Sequence, residues 1–201
     1  MEYIAHRINT VEELKQIPDD VGVELDLRDA ADGRIYIQHD PFVPGEDFEN
    51  YLRSYHHGCM ILNVKSERIE YKILDMLRQY KVENYFFLDS SFPMIYALSK
   101  EGESGIAIRF SEYEGMDTIC SMSGKVKWIW IDSFQTLSLT KEQYREMKRL
   151  GYKLCLVSPE LQGRDADIER YIDYLNQNQI FVDAICTKVY NIERWKKGYP
   201  A

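Results

Sequence analysis

The sequence is short of several things. Nowhere in its 201 residues does an apolar run reach the roughly 18 side chains that a membrane-spanning helix needs. The opening MEYIAHRINT carries an acid at position 2, and its apolar run is too brief for a signal peptide. A helical membrane span is therefore not expected, and the chain reads as cytoplasmic. Basic excess is missing as well: 25 Lys and Arg face 33 Asp and Glu, a net charge of -8. Nucleic acid and anionic membranes are thus not expected as partners, while a local basic pocket stays open. Cysteine is sparse, and Cys59, Cys120, Cys155 and Cys186 form no C-x-x-C pair. They read as buried free thiols rather than disulfides or zinc ligands. No linker-like composition interrupts the chain, so one domain over residues 1–201 is expected.

What is present is an alternation. Short β-rich runs are expected at 3–6, 22–28, 60–66, 85–89, 105–110, 127–133, 153–159 and 181–187, separated by helical patterns near 11–16, 46–54, 67–80, 93–100, 115–122, 140–150, 163–177 and 190–197. Start signals mark several helices: Ser66, Thr140 with Gln143 three residues on, and Pro93. Eight strands each followed by a helix are what a closed (β/α)8 TIM barrel requires, and about 200 residues is the short end of that architecture. The rival, an open doubly wound sheet, would carry a glycine-rich turn after its first strand, whereas His6-Arg7-Ile8-Asn9-Thr10 has no glycine. After the second strand, Asp32-Gly33 followed by alternating Ile35 and Ile37 reads as a short hairpin excursion.

A barrel builds its working face from the C-terminal ends of its strands. Those ends are polar here: His6, then Glu24, Asp26 and Arg28, then Asn63 and Lys65, then Asp89, Arg109 and Asp132, with His39-Asp40 closing the hairpin. The two-residue period of a strand sends Glu24, Asp26 and Arg28 one way and Val23, Leu25 and Leu27 the other, toward the helices. Strand by strand, these charges read as structural ion pairs. Jointly, with two histidines among them, they read as an acid/base site, because ion pairing needs no imidazole.

The order His6-Arg7, Glu24-Leu25-Asp26 and His39-Asp40 after an Asp-Gly turn resembles the glycerophosphodiester phosphodiesterases and the wider group of phospholipase-C-like phosphodiesterase barrels. Asn63-Val64-Lys65 aligns with that family's Glu-x-Lys, and the AICT segment near the C-terminus looks like its last strand. The resemblance implies a metal-dependent phosphodiester hydrolase acting on a small phosphodiester or sugar-phosphate-like ligand. By position, His6 and His39 are the implied acid/base pair. Glu24, Asp26 and Asn63 are the implied ligands of a divalent cation, Mg2+ or Ca2+. Arg7 and Lys65 are the implied phosphate binders, and Arg28, Arg109 and Asp132 join them as candidate substrate contacts. The residue types suit the chemistry: a hard cation stabilises charge growing on phosphoryl oxygens, and two imidazoles serve nucleophile and leaving group.

Three features depart from the family pattern. Ile8 stands where His-Arg is usually followed by glycine, Asn63 replaces a charged ligand and so weakens the expected site, and Pro41 to Gly45 leaves no room for a substrate-covering insertion. A non-catalytic barrel binding a phosphorylated or anionic sugar-like ligand is the alternative these departures keep open. A third reading, lyase or isomerase chemistry on a phosphosugar through Lys65, requires that amine to be desolvated and away from carboxylates. Adjacent His56 and His57 invite a metal-pair reading, but neighbours in sequence diverge in direction, and they read as histidines at a helix end. Trp128 and Trp130 read as barrel filling.

Overall fold

The computed structural model describes residues 1–199. Among these residues, ten strands and eight α-helices alternate. The strands are β1 (Glu2–Ala5), β2 (Gly22–Asp29), β3 (Ile35–Ile37), β4 (Glu46–Asp47), β5 (Met60–Val64), β6 (Tyr85–Leu88), β7 (Ala107–Phe110), β8 (Trp128–Ile131), β9 (Lys153–Val157) and β10 (Ala184–Thr187). The helices are α1 (Val11–Leu14), α2 (Phe48–Arg53), α3 (Glu70–Tyr80), α4 (Phe92–Lys100), α5 (Met116–Ser121), α6 (Lys141–Arg149), α7 (Ile168–Asn178) and α8 (Ile192–Gly198). Parallel pairing runs β7-β8-β9-β10-β1-β2-β5-β6. A parallel bridge between Phe87 and Ile106, with Phe87 N–H donating to Gly105 O at 2.9 Å, joins β6 to β7 and closes the (β/α)8 barrel. No helix among the described residues is long and apolar enough to cross a membrane.

The two faces of the strands fill two cores. Val23, Leu25 and Leu27 of β2, Leu62 of β5, Ile129 and Ile131 of β8 and Leu154 and Leu156 of β9 point outward, into the layer shared with the helices. Inward positions form a separate cluster that includes Ile4, Ile61, Phe86, Leu88, Trp128, Trp130, Val157 and Cys186. Both tryptophans therefore fill the barrel, Trp128 stacking on Phe86 at 4.5 Å between ring centroids. Burial of side chains this large contributes roughly 1.5–3 kcal/mol apiece. Cys59, Cys155 and Cys186 are buried free thiols inside the barrel, whereas Cys120 is an exposed one.

Helix starts follow local chemistry. Thr140 and Gln143 form the expected capping box on α6, and Thr10 with Glu13 forms another on α1. Ser66 does not cap α3, which begins at Glu70 with Ile69 ahead of it. The Ser66 hydroxyl instead accepts from the Asp29 amide at 3.3 Å, tying the loop to β2. The excursion after β2 is also larger than a hairpin. β3 pairs antiparallel with β2 as expected, and β4 adds a third, two-residue strand against β3.

At the floor of the barrel, Gly22 and Gly58 let two loops pass at backbone distance. A Cβ on Gly22 would stand 2.4 Å from Cys59 O, and one on Gly58 would stand 2.9 Å from Gly22 N. At the opposite end, Glu112 fastens the loop after β8 by accepting from the amides of Phe134, Gln135 and Thr136 at 2.8–3.0 Å. Burial works against its charge, but the main-chain donors prevail and hold the carboxyl down to about 2. A folded-state pKa below the unfolded one gives stability that is fully present above the ordinary carboxylate range and lost as pH falls toward about 2. Glu112→Gln is therefore expected to shift the urea midpoint most at neutral pH. The gap from wild type should close on acidification, and a gap independent of pH would contradict this account.

Candidate functional site

Alternation carries the site. Along β5 the inward positions run Ile61, Asn63, Lys65. Along β8 they run Trp128, Trp130, Asp132, and along β10 they run Ala184, Cys186, Lys188. Each column is apolar in the barrel's interior and turns polar at the C-terminal mouth. A cleft of about 250 Å³ opens there, lined among others by His6, Arg7, Asn63, Arg109, Trp130 and Asp132. A second, more apolar cleft of about 410 Å³ adjoins it through Asp89 and Arg109, and Phe92, Ile95 and Tyr113 form part of its wall.

Glu24 and Asp26 are each 1% exposed, buried against the mouth residues His6, Arg7 and Asn63. Two carboxylates so close and so buried cost on the order of several kcal/mol unless donors and cations meet them. Asn63 Nδ2 donates to Glu24 Oε1 and Arg7 N to Glu24 Oε2, both at 2.8 Å. Asn9 Nδ2 donates to Asp26 Oδ2 at 2.9 Å, and the Asp26 amide donates back to Asn9 Oδ1. Lys65 Nζ lies 3.6 Å from Asp26 Oδ1, and Arg7 Nε lies 3.6 Å from Oδ2. Even so, burial and then the charge of Asp26 hold the Glu24 carboxyl above the usual carboxylate range.

Arg7 makes its contact by unusual backbone geometry. Its φ of 59° places it in the left-handed region, where a side chain costs on the order of 1–3 kcal/mol, and this turn aims its amide at Glu24. Ile8, the departure from the family's glycine, is buried in the outer core. Its amide donates to Glu24 O, and its carbonyl accepts from the Tyr51 hydroxyl. The first loop is thus packed down onto β2 rather than left open.

His6 lies in the mouth with Nε2 3.7 Å from Glu24 Oε2 and Nδ1 3.1 Å from Lys188 Nζ. An ammonium can only donate, so Nδ1 is the acceptor and the ring proton sits on Nε2, facing Glu24. Burial, then Lys188, Arg7 and Lys65, push the imidazole down to about 3, leaving it neutral at physiological pH. His39 does not line the cleft. It stands on the rim where the chain leaves β3, with Nδ1 2.8 Å from Asp40 Oδ1, and its charge is still felt at His6.

Three other expected substrate contacts are already engaged. Arg28 directs its guanidinium at the carbonyls of Gln38, His39 and Lys65, at 2.7–3.3 Å, and so fixes the His39 segment. Arg109 meets Asp89, Glu114 and Asp132 at 2.8, 2.9 and 2.7 Å. Asp132 also accepts from Gln162 Nε2 and the Ser133 amide. Lys65 stands between Asp26 and Asp89, 3.5 Å from the latter, so it is not held away from carboxylates as Schiff-base chemistry through it would require.

Lys188 is the residue the sequence reading passed over. Its signal was available: counting by twos from Ala184 and Cys186 reaches it at the end of β10. Glu160 secures this strand end, with Oε1 accepting from Thr187 Oγ1 at 2.5 Å and the Lys188 amide at 2.9 Å.

The donor set fits a hard divalent cation. Asn63 Oδ1 is buried without a hydrogen-bond partner, beside two carboxylates whose oxygens have further lone pairs to offer. The set holds two charges rather than three.

No family model matches the sequence, and no curated protein matches it. Solved structures do match the fold. A chain assigned as a glycerophosphoryl diester phosphodiesterase from Agrobacterium tumefaciens superposes with a TM-score of 0.68 at 13% identity, covering 93% of each chain. A glycerophosphodiester phosphodiesterase from the same organism gives 0.63 at 18% identity, over 92% of this chain and 96% of that one. A glycerophosphoryl diester phosphodiesterase from Parabacteroides distasonis gives 0.67 at 12% identity, over 100% and 87%. At these identities the likeness establishes the fold alone, the (β/α)8 TIM barrel.

Proposed function

We propose that the protein hydrolyses a small phosphodiester at the mouth of the barrel. The observation that carries this reading is the clustering of a neutral imidazole with a buried Glu-Asp pair and the cations Arg7, Lys65 and Lys188, beside the cleft that His6, Arg7 and Asn63 help to line. Neutral His6 suits a general base, and His39, oriented by Asp40, suits the acid that protonates the leaving alcohol. Arg7 and Lys65 suit the non-bridging oxygens. A phosphate entering the cleft competes for Lys188, and as that ammonium turns toward it, His6 Nδ1 is released to accept a proton. The cleft is below the size usual for drug-like ligands, which favours a compact ester.

Glu24, Asp26 and Asn63 Oδ1 are the groups that would hold a Mg2+ or Ca2+ ion. Such an ion supplies Lewis-acid stabilisation of phosphoryl charge when bound. Asn63→Asp is expected to tighten cation binding on the order of tenfold by adding a charge to the ligand set. It should also lower stability in EDTA, because the donor to Glu24 Oε1 is lost. Calorimetric titration and urea unfolding with and without Ca2+ check both halves.

The decisive experiment measures hydrolysis of bis(p-nitrophenyl) phosphate and a panel of glycerophosphodiesters with Mg2+, Mn2+ or Ca2+, against a His6→Ala, His39→Ala variant. Turnover by the wild type alone supports the reading, and equal turnover by both sinks it. The occupied Nδ1 of His6 favours a second reading, a non-catalytic barrel that binds an anionic sugar-like ligand. Its mark would be binding of a phosphodiester, seen by calorimetry, equally tight with and without metal and without conversion.

A further inference from the structure

At the floor of the barrel, opposite the mouth, two loops bring three ligand-type side chains together. Asp19 lies between α1 and β2, and His56 and His57 lie between α2 and β5. A nitrogen of each imidazole and a carboxylate oxygen of Asp19 all lie within 4.8 Å of one another. The sequence leads one to expect the two rings to diverge. Instead their centroids are 4.7 Å apart, with planes inclined by 37°.

The hydrogen bonds around the rings decide which nitrogens carry lone pairs. His56 Nδ1 is 3.0 Å from Ser54 O, and His57 Nε2 is 3.1 Å from Ile17 O. A carbonyl only accepts, so each ring donates a proton to main chain, and in the neutral tautomer this fixes, Nε2 of His56 and Nδ1 of His57 carry the lone pairs. The His56 amide, at a long 3.5 Å, is the donor nearest His57 Nδ1. His56 Nε2 points at Asp19 Oδ1 from 3.1 Å, a contact that either a ring proton or a bound metal ion completes. Anchoring of the remote ring nitrogen on a carbonyl is the usual support of metal-bound histidine.

We propose that Asp19, His56 and His57 form a binding site for a divalent transition metal of the zinc class, separate from the mouth. Two imidazoles and one carboxylate suit Zn2+, Co2+ or Ni2+ rather than Mg2+ or Ca2+. Three protein ligands leave a fourth position to water. His57 is the fixed member, its ring packed 5.5 Å from that of Tyr55. Asp19 and His56 are the exposed ones, with side chains 73% and 66% exposed, and they have room to close the remaining distance. The bound metal ties the loop before β2 to the loop before β5, where Gly58 N–H already donates to Val21 O.

The test titrates ZnCl2 into the full chain by calorimetry, in a Cys120→Ser background because that thiol is exposed. Co2+ absorption reports imidazole ligation independently. One equivalent should bind, His56→Ala or His57→Ala should each weaken it at least about tenfold, and the double variant should abolish it. Zn2+ should raise the Tm of wild type but not of the double variant. A Glu24→Gln, Asp26→Asn protein should keep this equivalent, which separates it from any cation at the mouth. Absence of Zn2+ binding in the parent protein, or binding unchanged in the double histidine variant, would overturn the proposal.

Discussion

Replacing His6 with alanine is expected to lower kcat for phosphodiester hydrolysis by about 10²–10⁴, the usual contribution of a positioned acid or base. KM should move far less, since Arg7 and Lys65 remain to hold the substrate. The argument starts from packing: His6 follows Ile4 on the inward column of β1, so it enters the mouth partly desolvated and among cations. Each of those influences disfavours imidazolium, in the order burial, Lys188, Arg7, Lys65. A group neutral far below pH 7 acts as a base throughout the physiological range. The rate should therefore show no loss of activity from His6 protonation until well into acid. Steady-state kinetics over a pH series, with His6→Gln as the shape-conserving control, checks this. A His6→Ala protein retaining kcat within a factor of about two would remove His6 from the chemistry.

Gly22→Ala should be strongly damaging for a single added methyl. The added carbon would stand 2.4 Å from a main-chain oxygen, Cys59 O, and 3.1 Å from Ile4 Cγ1. Cys59 O cannot yield, because it accepts the Val23 amide at 2.9 Å in the β2–β5 ladder. Backbone must shift, and a loss of at least about 2–3 kcal/mol is expected from overpacking of this kind. Gly115→Ala is the control. Nothing lies within 4 Å of its added carbon, so less than about 1 kcal/mol should be lost, mainly from the weaker cap. Urea unfolding of the two variants reads the difference directly, and equal midpoints would refute the floor-packing argument.

Much of this was legible in the sequence because it depends on period. Strands that alternate apolar and polar, such as GVELDLR, declare both their location and the face that points inward. Eight of them declare the barrel. The acid pair of β2 was legible for the same reason. What could not be read depends on contacts between segments distant in sequence. Arg28 and Arg109 look like anion binders until the fold surrounds them with carbonyls in one case and carboxylates in the other. The two-residue β4 has no periodicity to detect, and Ser66 carries a capping side chain that the Asp29 amide claims first. Lys188 reaches His6 across 182 positions, a neighbourhood created only when β10 returns beside β1. The histidine pair at 56 and 57 needed Ser54 O and Ile17 O before its orientation meant anything.

The join between β6 and β7 is made differently from the others. Among the described residues one bridge, Phe87 to Ile106, links these strands, whereas β2 and β5 pair over five residues. Above that bridge, the Asp89 carboxylate and the Arg109 guanidinium complete the wall through side chains. The barrel is thus a roll with a seam, and its upper fastening is electrostatic. Missing rungs also account for the apolar side cleft, since Ala107 and Ile108 face it where a fuller ladder would have covered them. Ionic strength therefore acts on this wall unevenly, loosening one clasp while leaving the other staves bound by main-chain hydrogen bonds.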